Sequence, residues 1–486
     1  MGLCAALVVV VVRALLDIQM IAGGLVKLEL GNALQLEQHA GIRHGAFLLW
    51  TDAELTYRAL HHWVLHLPML FSPRPEAAAI FLVIVDFLTA GAWFLVIRKR
   101  WGLLPSCVAV SLYLATPVGP ILSKHVISTA FVPLAAAGLF EGWLRMTEDR
   151  KTSGVNLSLW SLSLLIWLNV NHVILVPVWV WACFPFISTP KIPKMAAFFG
   201  VLGLIPLLYP ANGGSLLGSL SDMVNRPSLL LADPEWFARR MIFVEPYMTD
   251  MTKVLYAWPL LLLVAGWVVL KERKDIPPGL LPMLFSLPLF LLVSDVEATV
   301  VWQAGLLVMV ALASFRSRLI AIASLVYAVL AQLAIAQTFL TFGPPPQSNF
   351  FSLSTVAQKE EILDVLEKEF QVSSRELQTL RVFHEEGENG IPAPVPGLRY
   401  LADHSRTWSG DGERCIVVSP RAKRVPGGAV DVQRFSARGF HYVAYAGVPG
   451  CKTNLIHRLP RALYLDLNRW EFTDKAPWRV GTDLPL

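Results

Sequence analysis

Residues 76–100, EAAAIFLVIVDFLTAGAWFLVIRKR, hold an apolar run that ends in three basic side chains. A run of about 20 apolar residues is long enough to cross the hydrocarbon core of a bilayer as a helix. The basic end indicates the side of the membrane, because loops rich in lysine and arginine stay in the cytoplasm. We therefore predict a transmembrane helix near residues 76–97 with its C-terminal end in the cytoplasm.

The same pattern recurs over the first 343 of the 486 residues. Hydrophobic residues make up 55% of the chain and charged residues 16%, against roughly 25% charged residues in a soluble domain. The mean hydropathy is +0.53. The sequence therefore predicts a polytopic α-helical membrane protein with about 11 transmembrane helices. The predicted spans lie near residues 3–26, 76–97, 102–121, 126–145, 155–169, 173–188, 194–209, 254–270, 278–294, 298–314 and 318–341.

Basic turns set the predicted topology, because alternate loops carry them. They lie at residues 98–100, 145–151, 191–194, 271–274 and 316–318. The N terminus falls on the same cytoplasmic side, and an odd number of spans places the chain after residue 343 outside. We predict a bacterial inner-membrane protein whose C-terminal domain is periplasmic. Two long loops, 27–75 and 211–253, face the same outer side, and loops of this length tend to be functional.

The first apolar run is predicted to remain as a helix, since it lacks a basic leader and a small-residue cleavage site. Arg13 and Asp17 interrupt it four residues apart, so they share a helical face and can pair inside the membrane. Basic residues elsewhere occur in short groups between apolar runs. This distribution excludes a nucleic-acid-binding face, which needs a clustered basic surface.

Residues 344–486 are charge-rich and predict a soluble extracytoplasmic domain of the α/β or α+β class. Apolar residues recur at helical spacing in VAQKEEILDVLEKEF. The runs RCIVVSP, FHYVAYAG and RALYLDL predict strands. Cys415 and Cys451 are the two cysteines of this part, and a pair in an oxidising compartment predicts a disulfide. Two unrelated cysteines remain the alternative.

The first outer loop ends in LWTDAELTYRALHHWVLHLPMLFSP, residues 49–73, which is unusually polar for this chain. An amphipathic helix at the membrane surface would explain it. One face of that helix would carry Leu55, Ala59, His62, Trp63 and His66. The histidines are consistent with a wetted helix face, since HHxxxH spacing alone does not establish the geometry of a metal site.

A longer stretch, from LTYRALHHWVLHLPMLFSP through the apolar run and basic turn to LLPSCVAVSLYLATPVGPILSKHVISTAFVPLAAAGLFEGWLR, resembles a known family. It is similar to the first half of polyprenyl-phosphate-dependent glycosyltransferases of the GT-C superfamily, especially the protein-mannosyltransferase-like and lipid A aminoarabinose-transferase-like members. The corresponding features are Pro68, the turn at 98–102, and the segment 117–124 with its Pro, Ser and Lys. The resemblance covers roughly residues 30–145.

The resemblance implies a polyprenyl-phosphate sugar lipid as donor and an acidic residue in the first outer loop as base or acceptor-positioning group. A carboxylate can take the acceptor's proton, or hold a divalent metal ion on the leaving phosphate. Asn32 stands where the family has an Asp, and an amide cannot act as a base. The substitute candidates are Glu37, Asp52 and Glu54. The candidates for holding the donor phosphate are Lys124, Arg239 and Arg240.

Three functions stay open at this point. The leading hypothesis is a membrane glycosyltransferase that moves a sugar from a polyprenyl-phosphate donor to an extracytoplasmic acceptor. Asn32 favours the second, a degenerate GT-C-like subunit that lost its activity and docks partner proteins through the outer domain. The third is a transporter, for which Asp86 near the middle of a span is the argument. Against a transporter, the spans show no inverted repeat.

Overall fold

The computed structural model describes residues 2–26, 36, 38–51, 59–116, 128–148, 151–168, 172, 175–184, 266–267, 270–271, 276, 279–280, 296–341, 355–370, 383–384, 393–394, 416–419, 430–437, 440–446 and 462–473. Helices dominate up to residue 341, and strands dominate after residue 370. The helices are α1 (Gly2–Ala22), α2 (Ala59–Phe71), α3 (Pro75–Trp101), α4 (Leu103–Leu114), α5 (Val132–Thr147), α6 (Lys151–Leu168), α7 (Leu175–Cys183), α8 (Val296–Arg316), α9 (Arg318–Thr341) and α10 (Val356–Phe370).

In the described part of the chain, three helical stretches are long and apolar enough to cross a membrane: Gly2–Ala22, Pro75–Trp101 and Arg318–Gln337. Shorter apolar helices occupy Leu103–Leu114, Thr152–Leu168 and Gln303–Arg316. These helices coincide with predicted spans. The predicted spans 194–209, 254–270 and 278–294 lie almost entirely outside the described residues, so the number eleven stays a prediction.

Helix α4 ends at Leu114, seven residues before the predicted end of the span 102–121, and residues 117–121 lie outside the described part of the chain. The main-chain N–H of Ala115 donates to Ser111 O at 2.9 Å, and a turn follows at Thr116. Thr116 precedes Pro117, and the residue before a proline is disfavoured in the α-helical region. The preceding turn was placed correctly: Gly102 has φ +86° and separates α3 from α4.

The described helices pack through large side chains at some contacts and through glycine at others. Trp93, Phe140 and Trp143 are fully buried in the main core. Helices α5 and α6 instead meet at Gly142 and Gly154, where a Cβ on either glycine would come within 2.6 Å of the other helix's backbone. Only a residue without a side chain allows this approach.

Three sheets lie beyond the helices in the described part of the chain. Strand β1 (Ala46–Thr51) lies within residues 27–75, the predicted first outer loop. The other strands come from the C-terminal part: β2 (Phe383–His384), β3 (Ala393–Pro394), β4 (Ile416–Ser419), β5 (Val430–Ala437), β6 (Phe440–Ala446), β7 (Ala462–Asp466) and β8 (Glu471–Thr473). The antiparallel sheets have the orders β1-β7-β8, β2-β3 and β4-β6-β5. Strands β4, β6 and β7 and helix α10 confirm the runs predicted from sequence.

The sequence did not predict β1, which pairs antiparallel with β7 from Ala46 opposite Asp466 to Thr51 opposite Ala462. One sheet therefore joins residues 27–75 to the C-terminal part, across the predicted domain boundary at residues 343 and 344. Strand formation depends on cross-strand neighbours more than on intrinsic preference. A partner more than 400 residues away in the chain leaves no local signal.

Candidate functional site

The candidate site residues of the sequence all fall outside the described residues. They are Asn32, Glu37, Asp52, Glu54, Lys124, Arg239 and Arg240, and the predicted disulfide pair Cys415 and Cys451 falls outside as well. Their roles therefore stay predictions. Leu36 and Gln38, the residues on either side of Glu37 in the sequence, are both buried.

The C-terminal part holds the first outer loop near its start, its middle and its end. At the start, the N–H groups of Val356 and Ala357 donate to Val26 O at 2.9 Å and to Gly24 O at 3.0 Å. At the end, Arg74 Nη2 lies 2.8 Å from Glu360 Oε1. All three candidate carboxylates lie between these two attachments in the sequence.

The middle attachment is the sheet β1-β7-β8 together with the turn that follows β7. Leu467 N donates to Gly45 O at 2.7 Å, and Asn468 Nδ2 donates to His44 O at 3.1 Å. Gly45 has φ +82°, and a Cβ there would lie 2.3 Å from Asn468 Nδ2. Glycine is therefore required here both by its backbone conformation and by the close approach of the turn.

His66 fixes β1 to helix α2. The N–H of Leu48 donates to His66 Nε2 at 3.1 Å, so Nε2 carries no proton and Nδ1 does. The Nδ1 atom lies 3.3 Å from Trp63 O, which it can reach as donor. The His66 ring also stacks on Phe47 at 4.2 Å and meets His39 edge-on at 4.8 Å.

The helix predicted around residues 55–66 is confirmed from Ala59 onward, and residues 52–58 lie outside the described part. The interpretation of the histidines as a wetted face is wrong for His66, which is buried against β1. Among the described residues, no group of three His, Cys, Asp or Glu side chains is placed to hold a metal ion. A divalent ion therefore remains a prediction that rests on Glu37, Asp52 and Glu54.

A buried charge cluster joins three helices inside the membrane part. Arg13 Nε donates to Asp17 Oδ2 at 2.8 Å and Arg13 Nη2 to Asp86 Oδ2 at 2.7 Å. The hydroxyl of Tyr113 donates to the second oxygen of Asp86 at 2.5 Å, and Arg13 Nη1 donates to Leu114 O at 3.2 Å. The predicted Arg13–Asp17 pair is confirmed. Both oxygens of Asp86 are engaged, which favours a structural role over an ion path.

A second cluster joins two of the predicted basic turns. Glu141 lies 2.5 Å from Arg100 Nη1 and 2.7 Å from Arg145 Nε, and Arg100 also pairs with Glu148. Glu141 lies one helical turn before the predicted basic turn at 145–151, and these contacts explain how its charge is buried in α5. The cluster shows that residues 98–100 and 145–148 meet at one end of the helix bundle.

Comparison with known proteins finds a similar fold among solved structures. No protein-family model matches the sequence, and no curated protein matches it either. Among solved structures, the chain is similar to ArnT from Cupriavidus metallidurans in the apo state, with 11% sequence identity and a TM-score of 0.52. The match covers 92% of this chain and 99% of that one. A structure of the same ArnT bound to undecaprenyl phosphate matches with a TM-score of 0.49 at 11% identity and the same coverage.

At this level of identity the likeness concerns the fold alone. The chain therefore shares the overall fold of this ArnT, and the part of it that the structure describes holds three helices long and apolar enough to cross a membrane. This likeness agrees with the fold expected from the resemblance of residues 30–145, and membership of the superfamily stays a prediction.

Proposed function

We propose that this chain is a GT-C-type glycosyltransferase that moves a sugar from a polyprenyl-phosphate donor to an acceptor on the outer side of the membrane. The observation that carries the proposal is the likeness to ArnT over 99% of that protein's length. The sequence features of residues 30–145 support it independently, because they belong to the sequence and not to the fold comparison. A lipid donor also suits a protein whose long loops begin and end at the membrane boundary.

In the proposed reaction, a nucleophilic atom of the acceptor attacks the anomeric carbon of the sugar while the bond from that carbon to the phosphate oxygen breaks. The acceptor's proton passes to a carboxylate, and polyprenyl phosphate leaves with the bonding electrons. The proposed carboxylates are Glu37, Asp52 and Glu54. The proposed phosphate-holding residues, which would stabilise the negative charge on the leaving group, are Lys124, Arg239 and Arg240.

The three attachments of the first outer loop support this assignment. A catalytic group works only when its neighbours hold it within a fraction of an ångström of its working position. Strand β7 fixes the segment between Glu37 and Asp52 along the chain, and the Gly24 and Arg74 contacts fix the two ends of the loop. The C-terminal part would thus position the base without supplying it.

A non-catalytic membrane subunit is the second candidate, and Asn32 is the observation that favours it. A chain that lost its acid could keep the GT-C fold and serve as a scaffold whose outer domain docks partner proteins. The two candidates differ in one measurable property. An enzyme would transfer sugar as a purified single chain. A non-catalytic subunit would instead co-purify with a second chain that carries out the transfer.

The first experiment is to purify the full chain in mild detergent and to identify bound lipids and proteins by mass spectrometry. The rate of sugar transfer is then measured with the lipid-linked sugar that mass spectrometry identifies. The variants compared with the wild-type chain are Glu37→Gln, Asp52→Asn and Glu54→Gln. Loss of the general base should lower the rate by about 10²–10⁴-fold in one of them. Glu471→Gln is the matched control, because Glu471 is an exposed carboxylate on β8 outside the first outer loop.

Transfer unaffected by all three substitutions would disprove the assignment of the base. An intact wild-type chain without transfer activity, purified together with a second protein, would favour the subunit instead. Asn32→Asp then separates a degenerate enzyme from a scaffold, because only an otherwise complete site gains activity from a restored acid.

A further inference from the structure

The sheet β1-β7-β8 has an apolar row on one face that continues beyond the protein it rests on. Phe47 lies opposite Leu465, and Leu465 lies opposite Phe472. Directly opposite residues of antiparallel strands point to the same face. Phe47, Leu465 and Phe472 therefore form one row across the three strands, and Leu463 lies on the same face two residues before Leu465.

Part of this face packs on the protein. Phe47 stacks on His66 of α2. Phe47 and Leu467, which follows the end of β7, both pack against the main core. That core runs from outer-loop residues such as Leu65 and Met69 into the membrane helices. The face is therefore turned towards the outer end of the helix bundle, where α2 leads into the span α3.

The rest of the same face is uncovered. Phe472 is 70% exposed although it continues the row that begins at Phe47. Two strand spacings put it about 10 Å from Phe47. Trp470, in the turn before β8, is 77% exposed and has φ +56°, a backbone conformation that non-glycine residues rarely adopt. Its N–H donates to Asp466 O at 2.7 Å, which holds the turn in this shape.

We propose that the tip of the β7-β8 hairpin rests in the headgroup region of the surrounding bilayer, with Trp470 and Phe472 as its membrane contacts. The face that carries Phe472 is continuous with the face seated on the helix bundle, so beyond the bundle's edge it overlies lipid. Tryptophan beside arginine is a typical composition at the water–membrane boundary. Arg469 is exposed in the same turn and can reach lipid phosphates.

This contact would give the sheet a second support besides the helix bundle. The hairpin is attached to the first outer loop through β1, so a membrane-seated tip would hold that loop at a fixed height above the bilayer. The proposal concerns the placement of the sheet and does not depend on sugar transfer. A scaffold subunit would have the same contact.

The test is photocrosslinking with the full chain in membrane vesicles from the cells that express it. Benzoylphenylalanine replaces Phe472 in one variant, which is a conservative change at an exposed aromatic position. In the matched control it replaces Glu471, the preceding residue of β8, whose side chain points to the opposite face. Elution of each variant as a single species in size-exclusion chromatography shows that the chain is folded.

After irradiation, mass spectrometry distinguishes phospholipid adducts from protein adducts. We expect a phospholipid adduct at position 472 in several-fold excess over position 471. A crosslink from position 472 to another protein or to a second copy of the chain would overturn the proposal. Equal lipid labelling at both positions, or none at position 472, would overturn it as well.

Discussion

Replacing Arg13 by leucine removes the guanidinium that bridges Asp17 and Asp86. All three side chains are buried in the helix bundle, and the guanidinium lies 2.8 Å and 2.7 Å from the two carboxylates. Removing one partner of a buried ion pair costs about 3–5 kcal/mol, because the remaining charge stays buried without compensation. The ratio of folded to unfolded protein should therefore fall by about 10²–10⁴-fold.

The measurement is equilibrium unfolding of the purified chain in mixed micelles with increasing sodium dodecyl sulfate. Arg98→Leu is the control, because Arg98 is an exposed arginine at the end of α3 that lies over the ring of Phe94. A surface substitution of this kind changes stability by about 0.5 kcal/mol or less. Equal losses in the Arg13 and Arg98 variants would refute the reasoning.

A triple variant tests whether the cost comes from uncompensated charge. Arg13→Leu combined with Asp17→Leu and Asp86→Asn removes all three charges and keeps an acceptor for the Tyr113 hydroxyl. Replacement of a whole buried ion cluster by uncharged residues is often neutral or stabilising. The triple variant should therefore recover most of the stability that the single variant loses. A triple variant as unstable as Arg13→Leu would show that packing, and not charge, sets the cost.

Three further predictions concern the attachments of the first outer loop, each measured by the same unfolding titration. Gly45→Ala should lower the free energy of unfolding by about 1 kcal/mol more than Gly102→Ala does. Both glycines have positive φ, but only at position 45 would a Cβ collide with the turn after β7. Equal losses of stability in the two variants would contradict this. His66→Phe should lower the free energy of unfolding by about 1–3 kcal/mol, because the buried N–H of Leu48 in β1 loses its acceptor. An unchanged unfolding midpoint would show that this hydrogen bond contributes nothing to stability. Arg74→Ala should cost less than about 1 kcal/mol, since Arg74 and Glu360 are 48% and 35% exposed, and a larger loss would indicate a role beyond this ion pair.

The membrane helices could be predicted because their signal is local. A run of apolar residues followed by a basic turn identifies α3 without knowledge of its neighbours. Arg13 and Asp17 could be paired for the same reason, since four residues separate them on one helix. Their third partner could not be predicted. Asp86 lies 73 residues from Arg13 in sequence, and only the packing of α1 against α3 brings them together.

The outer part shows the same division between local and distant signals. Strands β4, β6 and β7 were predicted from short β-branched and aromatic runs between turn residues. Strand β1 could not be predicted, although GAFLLWT carries aromatic residues after a glycine, because its partner strand β7 lies in the last 25 residues of the chain. The candidate carboxylates were selected by resemblance, and their geometry lies outside the described residues.

The three attachments give the C-terminal part a structural role, which is to restrict the first outer loop. The contacts at Gly24, Gly45 and Arg74 join segments that are far apart in sequence, and each is made from the C-terminal side by main-chain or exposed polar groups. Such contacts are individually weak, because an exposed ion pair contributes about 0–1 kcal/mol and a hydrogen bond about 1 kcal/mol. Together they restrict one loop near its start, its middle and its end. A C-terminal part that acts by restricting this loop needs no reactive residue of its own, whether the loop carries the catalytic base or, in a scaffold subunit, a surface for a partner.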